Sequence, residues 1–124
     1  MDLVLKGRGT DITEHDRRAA ERRLSRVPRF DRRVERVEVE VILEHNPRVG
    51  AEASHRVEIT CHTKRRQVRA HGAGPDVDSA LDQAARRLER QLSTYRSKLR
   101  DRLTRRRRGV ESPRTSPQGS SSSE

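Results

Sequence analysis

Apolar residues recur at steps of three and four between Asp76 and Leu103, and this spacing predicts one long amphipathic helix. Asp76 follows Gly74 and Pro75, where its carboxylate can accept hydrogen bonds from the free amides of the first helical turn. The apolar stripe consists of Val77, Leu81, Ala84, Ala85, Leu88, Leu92, Tyr95, Leu99 and Leu103. Four cations lie on the side of the helix away from this stripe: Arg86, Arg87, Arg90 and Lys98.

The beginning of the chain predicts a short strand followed by a first, shorter helix. The apolar run Leu3 to Leu5 indicates the strand, which the glycines around Arg8 end. Thr13 and Asp16 have the spacing of a capping box, so the helix begins there. Its narrow apolar seam is Ala20, Leu24 and Val27. We expect Pro28 to end this helix.

Three further segments alternate between apolar and polar residues and are predicted to be strands. They cover about residues 34–44, 56–62 and 68–71, and the segment from Gly72 to Pro75 then breaks the chain before the long helix. The order is β-α-β-β-β-α, in which the first strand pairs parallel to the second and the last three form an antiparallel meander. Because only one side of each strand is apolar, both helices must cover the same face. The predicted fold is an α+β two-layer sandwich with a four-stranded mixed sheet.

The apolar pattern stops at Leu103, which divides the chain into a domain of residues 1–103 and a tail of residues 104–124. The tail opens with four arginines, residues 105–108, and continues as a Ser- and Pro-rich segment that we expect to be disordered. The arginines are explained equally well as cations at a helix C-terminus or as phosphate ligands.

Composition narrows the choice of partner. The 124 residues carry a formal net charge of +10, with only 29% hydrophobic and 2% aromatic residues. A small basic domain with a thin core is expected to bind a polyanion, and nucleic acid is the first candidate. Cys61 is the only cysteine, so no disulfide can form within the chain. No segment has the charge and apolar pattern of a signal peptide or a membrane span, and we expect a soluble, cytoplasmic protein without membrane contact.

The sequence offers little that would support catalysis. The five histidines are scattered without metal-ligand spacing, and no glycine-rich phosphate loop is present. Glu38 and Glu40 would lie on an open sheet face, where nothing excludes water or shifts a pKa. We therefore predict a protein that is not an enzyme and has no metal, cofactor or small-molecule substrate.

The predicted helices offer the better surface for nucleic acid. The open sheet face carries charged residues where an RNA-recognition motif needs aromatic ones. Basic residues of the two helices could instead line the two rims of a groove and contact the phosphates of structured RNA. A solvated cationic face without a partner is the alternative. The predicted RNA-binding residues are Arg22, Arg23, Arg26, Arg86, Arg87, Arg90 and Lys98, with Arg18 beside them on the first helix.

The segment from Asp76 to Leu92, DVDSALDQAARRLERQL, resembles the helix motif of the ribosome hibernation promoting factors, also called the ribosome-associated inhibitor or sigma-54 modulation family. The opening strand that ends in Gly7-Arg8, the capping Thr13 and the basic pair Arg22-Arg23 before Leu24 are similar to that family too. Asp78 and Asp16 depart from it, since they stand where the family usually has tyrosine and leucine.

The resemblance implies a monomer that binds the small ribosomal subunit and its ribosomal RNA. Binding would occur in the channel of messenger RNA and of the A-site and P-site transfer RNAs, and would keep idle ribosomes inactive. By the same resemblance, Arg22, Arg23, Arg86, Arg87, Arg90 and Lys98 would contact phosphates. The chain would be a short form of the family or the N-terminal part of a long form.

Two other functions remain open from the sequence alone. A generic double-stranded RNA binding module also packs two helices on one side of an antiparallel sheet, but it lacks a leading strand. A small enzyme acting on phosphate-containing substrates is the other possibility, but the sequence shows no group of residues that would form a nucleophile, a general base or a metal site for it.

Overall fold

The computed structural model describes residues 1–46 and 48–108, except the side chains of residues 96, 99 and 105–108. The elements, in chain order, are β1 (Asp2–Arg8), α1 (Glu14–Leu24), α2 (Val27–Phe30), β2 (Arg36–Leu43), a 3-10 turn (Ala51–Ala53), β3 (His55–His62), β4 (Gln67–Gly74) and α3 (Val77–Arg108). The chain divides into two compact units, Met1–Ser93 and Thr94–Glu124. The second unit contains the last part of α3.

The sheet confirms the predicted topology. Its strand order is β1-β2-β3-β4, with β1 parallel to β2 and the other two pairs antiparallel. Val39 pairs with Leu5 on one side and Ile59 on the other, so the inward residues of adjacent strands meet in one layer. This layer packs on α1 and α3, and the α+β two-layer sandwich is confirmed.

The core lies between this layer and the two long helices. From the sheet it contains Val37, Val39, Val41, Val57, Ile59, Cys61, Val68 and Ala70, and from the helices it contains Ala19, Ala20, Leu24, Ala80, Leu81, Ala84, Ala85, Leu88 and Leu92. Ala80 is fully buried although the predicted stripe omitted it. At the other end of the stripe Leu103, in the second unit, is exposed.

Both predicted helix caps are present. The backbone amide of Asp16 donates to Thr13 Oγ1 (3.1 Å), and the Thr13 amide donates to Asp16 Oδ2 (3.2 Å), which completes the capping box. In α3, the Ser79 amide donates to Asp76 Oδ1 at 2.8 Å. This backbone hydrogen bond, with a further one from the Ser79 hydroxyl, lowers the pKa of Asp76 although desolvation opposes it.

Three predicted boundaries were wrong. The first helix ends at Leu24 rather than at Pro28, which lies in the first turn of α2. Proline suits that position because a first-turn amide has no partner within the helix. The long helix continues past Leu103 to Arg108. The predicted disordered tail concerns mainly residues 109–124, which lie outside the described residues.

The third wrong boundary is at Gly72, which continues β4 instead of breaking the chain. A Cβ atom there would lie 2.5 Å from the carbonyl oxygen of Ala80 and 2.6 Å from the amide nitrogen of Ala84. The glycine is therefore needed because the backbone of α3 packs directly on β4, and not because the chain turns.

Candidate nucleic-acid interface

The exposed cations of the first unit that lie on the helices are the starting point for a candidate interface. On α1 and the turn that follows it, Arg22 and Arg26 are exposed, and on α3 Arg90 is exposed. Within the part of the chain that the structure describes, none of these three guanidinium groups is paired with a carboxylate. The N–H groups of these three side chains are therefore available to donate hydrogen bonds to phosphate oxygens.

A groove of about 300 Å³ lies between α1 and α3, but it is not uniformly basic. Arg22, Arg23 and Arg26 line it from the side of α1, whereas α3 contributes Asp78 and Asp82. The predicted groove between two basic rims is therefore basic on one side only. The carboxylates on its α3 side make the inside of the groove unfavourable for a polyanion.

Arg23 is engaged inside the fold. Its Nε donates to Asp82 Oδ1 (3.2 Å) and its Nη1 donates to Glu89 Oε2 (2.5 Å). The side chains of Arg23 and Glu89 are only 15% and 14% exposed. The hydrogen bond to Glu89 raises the pKa of Arg23 against the effect of burial, and the contacts with Asp82 add to the increase. Arg23 thus joins α1 to α3, and its two carboxylates compete with any phosphate.

Asp82 also binds a second predicted residue, Arg86. Arg86 Nη2 donates to Asp82 Oδ2 at 2.6 Å, one helical turn away. Burial raises the pKa of Asp82, but the hydrogen bonds from Arg23 and Arg86 outweigh this and lower it. Because the Arg86 side chain is exposed, this surface pair contributes little and can be exchanged for a phosphate contact.

Arg87 holds the free edge of β4 together with two glutamines of α3. Arg87 Nη1 donates to the carbonyl oxygen of His71 (2.9 Å), and Gln91 Nε2 donates to that of Arg69 (2.8 Å). Gln83 Oε1 accepts from the Ala73 amide at 2.9 Å. These side chains, four residues apart on α3, satisfy alternate backbone groups that β4 would otherwise expose at the edge of the sheet. The sequence does not reveal this role.

Lys98, the last predicted residue, is exposed and belongs to the second unit. The side chains of residues 105–108, the candidate phosphate ligands after it, lie outside the described residues.

One departure from the family pattern forms a contact of its own. His15 Nε2 on α1 lies 2.9 Å from Asp78 Oδ2 at the start of α3. Asp78, where a tyrosine is usual, thus links the beginnings of the two helices through a polar contact. Asp16, the other departure, is buried within the capping box.

The open face of the sheet carries charges of both signs. A shallow depression of about 220 Å³ is lined by Lys6, Glu38, Glu40, Glu58, Thr60 and Arg69. The contact with His62 lowers the pKa of Glu38 despite desolvation, and the positive charges of Arg36 and Lys6 act in the same direction. Three carboxylates within one depression make this face unfavourable for a polyanion, so the prediction that nucleic acid does not bind there is retained.

Among the described residues, no three His, Cys, Asp or Glu side chains are grouped as a metal ion would require. None of the helices they form is both long enough and apolar enough to pass through a membrane.

Comparison with known proteins identifies the family. The family model described as Sigma 54 modulation protein / S30EA ribosomal protein matches residues 3–100. A ribosome hibernation promotion factor of Mycobacterium tuberculosis is 34% identical over 91 residues, which cover 73% of this chain and 41% of that protein. The chain thus spans less than half the length of this relative.

Two solved structures share the fold. A ribosomal subunit interface protein from Coxiella burnetii superposes with a TM-score of 0.66 at 20% identity, covering 78% of this chain and 99% of that chain. The N-terminal domain of Protein Y from Thermus thermophilus superposes with a TM-score of 0.61 at 26% identity, covering 77% of this chain and 99% of that chain. Since the family model covers most of the sequence and these folds agree with it, the chain belongs to the Sigma 54 modulation protein / S30EA ribosomal protein family.

Proposed function

We propose that this chain binds the small ribosomal subunit in the channel of messenger RNA and of the A-site and P-site transfer RNAs, and so inhibits translation in the cytoplasm. Family membership and the names of the relatives, which refer to ribosome hibernation and to the ribosomal subunit interface, support a ribosomal partner. The parallel strand β1 beside β2 argues against a generic double-stranded RNA binding module, which lacks a leading strand.

The observation that carries the proposal is the set of exposed cations Arg22, Arg26 and Arg90 on the helices of a chain with a net charge of +10. They are expected to contact ribosomal RNA phosphates, which position a protein without reading base sequence. Arg86 joins them by exchanging Asp82 for a phosphate. Lys98, which is exposed in the second unit, is a further proposed phosphate contact.

Arg23 and Arg87 act differently in this proposal. Arg23 fixes α1 relative to α3 through its ion pairs with Glu89 and Asp82, and so positions the neighbouring Arg22 and Arg26. Arg87 covers the edge of β4. Both are inferred to support the interface through the fold rather than by direct phosphate contact.

Sedimentation with ribosomes tests the proposal. The purified chain should sediment with the small subunit and with whole ribosomes in a sucrose gradient, and should reduce protein synthesis in a cell-free system. The triple variant R22Q/R26Q/R90Q should bind more weakly. Loss of three phosphate contacts should reduce the slope of log affinity against log salt by about 2 to 3.

A matched control is the triple variant K6Q/R8Q/R69Q, which removes the same charge from the open sheet face. If the control weakens binding as much as R22Q/R26Q/R90Q, net charge rather than the helix surface determines affinity, and the assignment is wrong. If the unmodified chain stays at the top of the gradient at low salt, the proposed ribosomal function is wrong.

A further inference from the structure

Hydrogen bonds hold the β3–β4 turn, which takes no part in the proposed interface. The Thr63 amide donates to the carbonyl oxygen of Arg66 at 3.0 Å, closing the turn. Thr63 Oγ1 accepts from the amides of Arg66 (3.1 Å) and Arg65 (3.4 Å). A hydroxyl that binds two successive amides fixes the backbone of the turn. The side chains at its tip therefore extend from a preorganised backbone.

The tip itself carries two cations. Lys64 and Arg65 are exposed, and no carboxylate pairs with either of them in the described part of the chain. No acidic residue occurs between Cys61 and Gly74. The turn and β4 therefore supply no carboxylate of their own to pair with the two cations.

A third cation belongs to the same end of the sheet. Arg32 is exposed in the turn that leads into β2, and it has no carboxylate partner among the described residues. The Glu35 amide donates to the carbonyl oxygen of His62 at 2.8 Å, so the entry to β2 lies beside the end of β3. Lys64 follows His62 by two residues. The pairing therefore brings the two turns to one end of the sheet.

Hydrogen bonds also hold the turn that contains Arg32. The buried carboxylate of Asp31 accepts from the Arg33 amide (2.9 Å), from Arg33 Nε (3.0 Å) and from Arg33 Nη2 (3.0 Å). Burial raises the pKa of Cys61 to about 12, and the charge of Asp31 adds to this, consistent with a position of the turn close to the end of β3.

The composition of this end favours RNA over a protein partner. Protein interfaces are anchored by a buried cluster in which tryptophan and tyrosine accompany arginine, whereas residues 63–67 are Thr, Lys, Arg, Arg and Gln and include no aromatic side chain. Exposed cations on a fixed backbone suit phosphate oxygens, which they bind without sequence preference. Holding the backbone rigid also limits the entropy lost on binding.

We propose that Arg32, Lys64 and Arg65, the sheet-end cluster, form a second phosphate-binding surface that holds an RNA backbone segment other than the one at the helices. The proposal rests on the proposed ribosomal function, because it places a second ribosomal RNA contact at the end of the sheet. The chain then binds RNA at two surfaces of its first unit.

The test uses the double variant K64Q/R65Q and the triple variant R32Q/K64Q/R65Q, with K6Q/R69Q as the control for the double variant. Affinity is measured over a range of salt concentrations for purified small subunits and, separately, for a short RNA duplex labelled with a fluorophore. For both partners we expect K64Q/R65Q to bind several-fold more weakly than the control. Its log–log salt slope should be about 1 to 2 smaller in magnitude than that of the unmodified chain. For the triple variant, the magnitude of the salt slope should be smaller by about one further unit.

The outcomes separate this proposal from the proposed function. If the unmodified chain binds small subunits but K64Q/R65Q matches the control in affinity and slope, the sheet-end cluster is wrong and the ribosomal function stands. If the unmodified chain binds the RNA duplex but not the small subunit, the ribosomal function is wrong. The salt slopes of K64Q/R65Q and its control, measured with the duplex, then show whether the sheet-end cluster binds phosphates. Weaker binding to subunits with unchanged binding to the duplex would indicate an acidic protein partner and overturn the RNA assignment.

Discussion

Replacing Arg23 by glutamine separates a structural role from RNA contact. The variant R23Q removes the guanidinium group that Glu89 and Asp82 share, and leaves the carboxylate of Glu89 14% exposed without its cation. Breaking a fully buried ion pair costs about 3–5 kcal/mol. Because Asp82 is 46% exposed and can be solvated, we expect a smaller loss, about 2–3 kcal/mol in the free energy of unfolding.

Urea unfolding followed by circular dichroism measures this loss, and R22Q is the matched control. Arg22 precedes Arg23 on α1, is exposed, and should change stability by no more than about 0.5 kcal/mol. A double-mutant cycle with E89Q isolates the pair, and we expect a coupling energy of about 1–2 kcal/mol. The cycle is informative because the two residues are in direct contact.

The binding assay completes the comparison. Under conditions where R23Q is fully folded, its salt slope for small subunits should equal that of the unmodified chain, whereas R22Q should have a smaller slope. If R23Q is as stable as R22Q and shows the same reduced slope, Arg23 is a phosphate ligand and the structural reasoning is refuted.

Three other predictions concern the packing, the cap and the edge of the sheet. Gly72→Ala should lower the free energy of unfolding in urea by about 1–3 kcal/mol, because its Cβ meets the backbone of α3. Gly50→Ala, whose Cβ meets only the flexible Glu52 side chain, should have a much smaller effect, and equal losses would contradict the close packing. Asp76→Ala should destabilise the chain most at neutral pH. Since the folded pKa of Asp76 lies below its ordinary 3.8, the difference from the unmodified chain should narrow as pH falls through that folded pKa. A difference that stays constant in urea unfolding from pH 7 to 2 would show that the carboxylate charge has no part in the cap. Replacing Gln83 and Gln91 together by leucine should uncover the edge of β4 and increase self-association in sedimentation velocity, and a sedimentation coefficient equal to that of the unmodified chain would refute their role at the edge.

The sequence predicted those features that local spacing determines. Alternation placed Val37, Val39 and Val41 on the buried side of β2, and the helical period placed Leu88 and Leu92 in the core. The caps at Thr13 and Asp76 were predictable because their partners lie three residues away. Element order and the apolar side of each strand then left one simple topology, which the sheet confirms.

Only the tertiary structure decided what the individual arginines do. In the sequence Arg22 and Arg23 are equivalent cations of one helix, yet Arg22 is exposed and Arg23 is bound by Glu89, 66 residues away. In the sequence Gly72 likewise resembles a chain break, but in the structure it is required because α3 packs directly on β4 at this position. Hydrophobic burial follows a local period, whereas ion pairs and close backbone contacts depend on residues that only folding brings together. For this reason the sequence determined the fold and the sign of the surface charge, and the structure determined which cations remain available to a partner.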